Sequence, residues 1–131
     1  MTQSETSRIA DAWLRYWQAP TGSPARERLF WACDQVRDLL DRKPEALWQF
    51  ILEVHGKDKS PVIQQVLSAG PLEDLLTAYG PIFIERIERK AIDDPSFAQL
   101  LGGVWKSRMS DEVWRRIRAV WDRRSWDGMP E

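Results

Sequence analysis

The sequence predicts an all-α fold, an irregular bundle or short helical-repeat-like stack of about seven or eight short helices. Three observations carry that prediction. Apolar residues recur at helical spacing along nearly the whole chain, and no segment alternates convincingly with a period of two. Proline stands at helix starts at positions 24, 44, 61, 71, 81 and 95. The breaks between these starts are short, which is how stacked antiparallel helix pairs are written. The starts are unevenly spaced and no residue pattern recurs at a fixed period, so a true repeat is not indicated.

The elements follow in order. A first helix over about residues 4–18 sets Ile9, Trp13, Tyr16 and Trp17 on one face. Pro20 and Gly22 make the first loop. Ser23 reads as an N-cap with Pro24 at the first helical position, opening a helix to about Asp41. Its apolar face is Leu29, Ala32, Cys33, Val36, Leu39 and Leu40. Pro44 opens a third helix, closed by Gly56, whose Leu47, Trp48, Phe50, Ile51, Leu52 and Val54 cover more than half the wheel. This helix is expected nearest the centre.

Ser60 and Pro61 repeat the cap-and-proline start for a helix that stops at Gly70. Pro71 begins another, with Leu72, Leu75 and Leu76 inward and Glu73 and Asp74 in a first turn that favours acids. Gly80 and Pro81 punctuate again before Phe83, Ile84, Ile87 and Ala91. Asp94 and Pro95 start a short helix through Leu101, broken at Gly102-Gly103. Ser110 caps the last helix, with Met109 and Trp114 spaced for a hydrophobic staple. The chain is expected to form one domain over residues 1–131, frayed at about 1–3 and 127–131.

Composition excludes several function classes. The 131 residues hold 19 Lys+Arg, 20 Asp+Glu and one His, a near balance that gives no global cation excess for non-specific nucleic-acid binding. Cys33 is the only cysteine, so an intramolecular disulfide is impossible and a reducing, cytoplasmic setting is expected. One Cys and one His also exclude the usual four-ligand zinc site. The longest uncharged stretch, residues 60–72, is too short and too polar for a membrane span, and the first residues lack the pattern of a secretion signal. No cofactor is indicated.

The unusual number is eight tryptophans against two tyrosines and four phenylalanines. They are spread at 13, 17, 31, 48, 105, 114, 121 and 126, which reads first as helix packing. Trp31 points away from its helix's apolar stripe: either it anchors an interface, where Trp and Arg are favoured, or the N-terminal helix covers it.

Among titratable groups, Glu73, Asp74, Glu88 and Asp93 are the carboxylates that would form an acidic pocket. Acid–base or metal work requires that they converge. Each competing structural reading is local: first-turn positions for Glu73 and Asp74, Glu85 paired with Arg89, and Asp94 as a cap. Asp93 has no such reading. His55 suits the end of its helix, and Cys33 reads as a small packed hydrophobe, which disfavours a Cys–His pair. No nucleophile elbow, phosphate loop, zinc-protease or dinucleotide motif is present.

The last helix interleaves Arg115, Arg116, Arg118, Arg123 and Arg124 with Trp114, Trp121 and Trp126. On the wheel Val113, Trp114, Ile117, Val120 and Trp121 form one stripe with the arginines opposite. Asp111–Arg115, Glu112–Arg116 and Arg118–Asp122 stand four apart. This disfavours nucleic-acid contact and leaves Arg123, Arg124 and Trp126 as an unpaired patch.

Five ordered motifs, AGPLEDLL, FIERIE, DPSF, LLGGVW and MSDEVW over about residues 69–114, resemble a family of small bacterial proteins of unknown function, DUF6869. The resemblance implies a bacterial origin and a helical fold, and brings no activity or site residues. The expected function is that of a non-catalytic protein that works by binding another protein, an immunity- or antitoxin-like inhibitor being one concrete form, with homodimerisation left open. The alternatives are a small enzyme or ligand-binding domain using the acidic pocket, and nucleic-acid binding by the last helix.

Overall fold

The structure, a computed structural model, describes residues 3–126. The frayed ends expected at 1–2 and 127–131 lie outside the described residues, while Gln3 already belongs to the first helix. The fold is all-α, with no strand among the described residues.

The helical stretches are α1 (Gln3–Gln18), α2 (Pro24–Leu29), α3 (Trp31–Arg42), α4 (Pro44–Lys57), α5 (Pro61–Leu67), α6 (Glu73–Asp93), α7 (Pro95–Leu101) and α8 (Asp111–Val120). As continuous rods among the described residues they number six, fewer than expected. Only Phe30, itself helical at φ −59° and ψ −26°, separates α2 from α3. A π turn over Ser68–Leu72 carries α5 into α6 without a stop at Gly70. The wider π turn accommodates Pro71, which has no N–H to donate to an α-helical ladder. Pro81 likewise sits inside α6, where the chain kinks at Tyr79 (φ −135°, ψ 22°) and resumes. The contacts of the described residues fall into two compact units divided between Ile63 and Gln64, each described by itself below.

In the first unit α1 packs against α2, α3 and α4, and α3 against α4. The Ser23 hydroxyl accepts from the Arg26 N–H at 3.1 Å, the cap the sequence announces. Helix α4 buries Leu47, Trp48, Phe50, Ile51 and Val54, as its wide apolar face predicts, and runs through Gly56 to Lys57. The Trp13 ring meets Phe50 edge to face, with centroids 5.4 Å apart. Polar ties fix α1 along the same helix: Ser7 donates to Glu53, and Lys57 donates to Asp11 at 2.7 Å. Asp58 accepts from the Ser60 N–H at 2.9 Å just before α5.

In the second unit α6 packs against α7 and α8. Leu72, Leu75, Leu76, Phe83, Ile84, Ile87 and Ala91 are buried, as expected. Asp94 accepts from the Ser96 N–H at 3.0 Å and Ser110 from the Val113 N–H at 3.2 Å, so both caps form. Gly80 faces Val113: a β-carbon there would come within 3.1 Å of its methyl groups.

The Gly102-Gly103 pair serves packing rather than handedness. Neither residue has a positive φ. A β-carbon on Gly102 would lie 2.1 Å from the Asp122 carbonyl oxygen, and one on Gly103 would lie 2.6 Å from the Trp126 ring and the Ser68 hydroxyl. The segment after α8 lies directly on this pair. The Asp122 N–H donates to the Ala98 carbonyl at 2.9 Å, and the Trp126 indole N–H donates to the Gln99 carbonyl at 2.7 Å.

Candidate functional site

Aromatic and basic side chains of the second unit gather around the loop before α8 and the end of α8. Glu73 holds the loop: its carboxylate accepts from the Trp105 N–H at 2.8 Å. Burial pushes the Glu73 carboxyl above its usual range, with the Trp105 bond acting against that shift. Two residues on, Ser107 adopts a left-handed backbone at φ 49°, a conformation that costs an L-residue about 1 kcal/mol. The loop returns through a Met109 N–H to Lys106 carbonyl bond at 2.9 Å into the Ser110 cap. Trp105 is thereby held on the surface, 46% exposed.

Two hollows adjoin at Trp114. The first, about 270 Å3, is lined by Val104, Trp105, Lys106, Ser107, Trp114 and Arg123. The second, about 580 Å3, is lined by Asp111, Trp114, Arg115, Arg118, Ala119 and Trp121. Trp114 and Trp121 stand edge to face at 5.3 Å, and the Arg123 guanidinium lies 5.3 Å from the Trp121 ring. Four cations and one carboxylate therefore surround three tryptophans.

This arrangement corrects the helical-wheel reading of the last segment. Helix α8 ends at Val120, so Trp121 leaves the wheel, and Trp114 and Trp121 are half-buried beside Arg115 and Arg118 rather than opposite them. The expected pairs four residues apart are replaced by others. Asp111 pairs with Lys106, Glu112 with Arg115 at 2.7 Å, Arg116 with Glu88, and Asp122 with Arg124 at 2.8 Å. In the Arg116 to Glu88 contact Nε and Nη2, on one edge of the guanidinium, donate to the two carboxylate oxygens, and such a bidentate partner on α6 outcompetes a neighbour on the same helix.

The patch predicted from Arg123, Arg124 and Trp126 is not an unpaired one. Arg123 donates to the Gly102 carbonyl at 3.1 Å, Arg124 is held by Asp122, and Trp126 is buried. Of the three, Arg123 lines the first hollow. Trp31, in the first unit, is half-buried, with the Arg8 guanidinium of α1 lying 4.7 Å over its ring.

The four carboxylates of the acidic pocket are not brought together. Glu73 and Asp93 are the two ends of α6, on opposite sides of the kink at Tyr79. Glu73 is engaged by Trp105 and Glu88 by Arg116, and Asp74 and Asp93 are exposed. Among the described residues no group of three or more His, Cys, Asp or Glu is placed to hold a metal. His55 is buried in the last turn of α4. Cys33 is half-buried, and desolvation, reinforced by neighbouring Asp34, pushes its thiol up, away from the reactive thiolate.

The Asp122–Arg124 contact carries a pH dependence. The Arg124 side chain and then its N–H hold the Asp122 carboxyl down to about 2, below its ordinary 3.8. A depressed carboxyl contributes stability that is present above about pH 4 and lost as pH falls through 2. Amide protection in the Asp122–Trp126 segment, measured against the intrinsic exchange rate at each pH, is expected to fall between pH 4 and 2 in the native protein. In Asp122→Asn the same segment is expected to exchange faster already at pH 6, with no further step.

No helix among the described residues is long and apolar enough to cross a membrane. No curated protein and no solved structure matches the chain. A model of a family of unknown function matches residues 19–125, reaching well before the motifs at 69–114 to take in α2, α3 and α4. On that match the chain belongs to the family of unknown function DUF6869.

Proposed function

We propose that this chain is non-catalytic and acts by binding another protein, and that its contact surface is the tryptophan and arginine face of the second unit. The observation that carries the reading is Trp114, which lies on both hollows while Trp105 projects beside it. Trp and Arg are the residues that dominate binding energy at protein interfaces, most strongly where an aromatic ring sits between pockets. Lys106, Arg115, Arg118 and Arg123 against Asp111 favour an acidic partner segment. The Lys106–Asp111 and Arg115–Glu112 pairs are well exposed and screened by water, so a partner's carboxylates can replace them at little cost. An inhibitor of an acidic protein is the concrete form of this reading. The scattered carboxylates and the raised Cys33 thiol support the non-catalytic half of it.

The same residue types also bind single-stranded nucleic acid, so the test separates the two. A photo-cross-linking residue placed at Trp105 in the source cell is expected to capture one stoichiometric protein, with the adduct lost in Trp114→Ala and absent from a control probe at exposed Ile92. Adducts only to nucleic acid, only to a second copy of the chain, or equally at both positions would overturn the reading.

A further inference from the structure

The two hollows that meet at Trp114 differ in chemistry, and together they describe what fits them. The smaller is an apolar slot with charged ends: Trp105, Trp114 and Val104 line it, with Lys106 and Arg123. Trp114 makes its ring contact with Trp121, and Trp105 makes none among the described residues, so no ring-on-ring contact closes the slot between Trp105 and Trp114. At about 270 Å3 it falls below the roughly 300–1,000 Å3 of small-molecule sites, and suits one or two side chains of a longer ligand.

The larger hollow supplies the charge. Arg115 and Arg118 line it beside Trp114 and Trp121. Asp111 is engaged by Lys106 and Arg115 by Glu112. Arg118 is exposed and pairs with no carboxylate among the described residues, since Asp122, four residues on, is taken by Arg124. Its planar fork of donors matches a carboxylate supplied from outside.

Distance then relates the two. Arg118 follows Trp114 by four residues of α8, about 6 Å along the helix axis. Two residues of a polyproline II strand also cover about 6 Å. The indole walls favour that extended form, because proline-rich segments dock into aromatic-lined grooves and their conformation is formed before binding, so little entropy is lost.

We propose that this surface takes an extended acidic segment in which a proline precedes a carboxylate by two residues, the proline ring entering between Trp105 and Trp114 and the carboxylate meeting Arg118. This rests on the protein-binding reading above and names the chemistry of the partner's segment.

The test titrates the full chain with the blocked peptide Glu-Pro-Pro-Glu-Pro-Pro-Glu and follows the indole N–H signals. Saturable binding is expected, with the Trp105 and Trp114 signals moving and those of Trp13 and Trp48 in place. Replacing every proline of the peptide by alanine, or every glutamate by glutamine, is expected to weaken binding at least tenfold. Trp105→Ala and Arg118→Gln in the protein are each expected to do the same, and both side chains are exposed, so the fold is kept. Arg89→Gln, which removes an exposed arginine of α6 outside both hollows, is expected to leave affinity unchanged. No saturable binding, undiminished binding of either altered peptide, unchanged affinity in Arg118→Gln, or tighter binding of an oligothymidylate would overturn the proposal. The cross-link at Trp105 separates this inference from the reading beneath it. A protein captured there that saturating peptide fails to displace leaves protein binding standing and sinks the proline-and-carboxylate pattern.

Discussion

Gly102→Ala is expected to destabilise the protein by about 3 kcal/mol, the upper end of what forcing an extra carbon into a packed site costs. The new methyl would meet the Asp122 carbonyl oxygen at 2.1 Å and the Asp122 carbonyl carbon at 2.8 Å. These are backbone atoms, and the Asp122 N–H is itself tied to Ala98, so the segment cannot step aside without losing that bond and the Trp126 anchor to Gln99. For a chain of this size the loss is about 10 °C in Tm. Gly103→Ala provides the internal control. Its clash is with the Trp126 ring and the Ser68 hydroxyl, both side chains. Its cost is therefore expected to shrink in a Trp126→Ala background by more than that of Gly102→Ala, which still meets the Asp122 backbone. Denaturant midpoints of the five variants, Trp126→Ala alone included, decide it, and a Gly102→Ala protein as stable as the parent would contradict the close approach described here.

The second large effect is expected at Phe50→Ala, about 4 kcal/mol. Phe50 is fully buried on the helix that packs against both α1 and α3, and its ring receives the edge of Trp13. Removing it leaves a cavity and takes away an edge-to-face aromatic contact worth about 1 kcal/mol beyond the buried area. Trp13→Ala should cost a similar amount, and the double variant less than the sum, because the two rings share one contact. The check is chemical denaturation of the single and double variants. A loss below about 1 kcal/mol at Phe50 would show that α4 is not the centre of the first unit.

Much of this fold is legible in the residues, and what is legible is local. Ser23, Asp94 and Ser110 cap as read, since a cap needs only its own oxygen and an N–H two or three residues on. The apolar face of α4 is legible because it is nearly all of the helix. Pro71 is misread as a helix start for a reason no local rule supplies, while the break read at Gly80-Pro81 is present as a kink rather than a full stop. A π turn absorbs Pro71, and a kink at Tyr79 with Gly80 pressed on Val113 absorbs Pro81. The Gly-Gly pair reads as a turn, yet its use is set by a segment twenty residues further on.

The candidate surface was hidden for similar reasons. A wheel drawn past Val120 puts Trp121 on the core side, while the chain has already left the helix there. Pairing rules based on a spacing of four cannot see Glu88 on α6, which takes Arg116, nor Lys106, which takes Asp111. The one signal available in the sequence is the LGGVWKSR stretch, a tryptophan followed within three residues by two cations in a loop. Tryptophan outside a helix stripe, beside arginine and lysine, marks a surface more specifically than the count of eight tryptophans does.

The central claim, that tryptophans of the second unit meet a protein partner while the others hold the fold, is most directly tested by the indole N–H signals of the full chain. Eight are expected in a nitrogen–proton correlation spectrum. On adding the captured partner, Trp105, Trp114 and Trp121 are predicted to shift, with Trp13, Trp48 and Trp126, all buried, left in place. Shifts confined to the buried indoles, or none at Trp105 and Trp114 under saturating partner, would contradict the account.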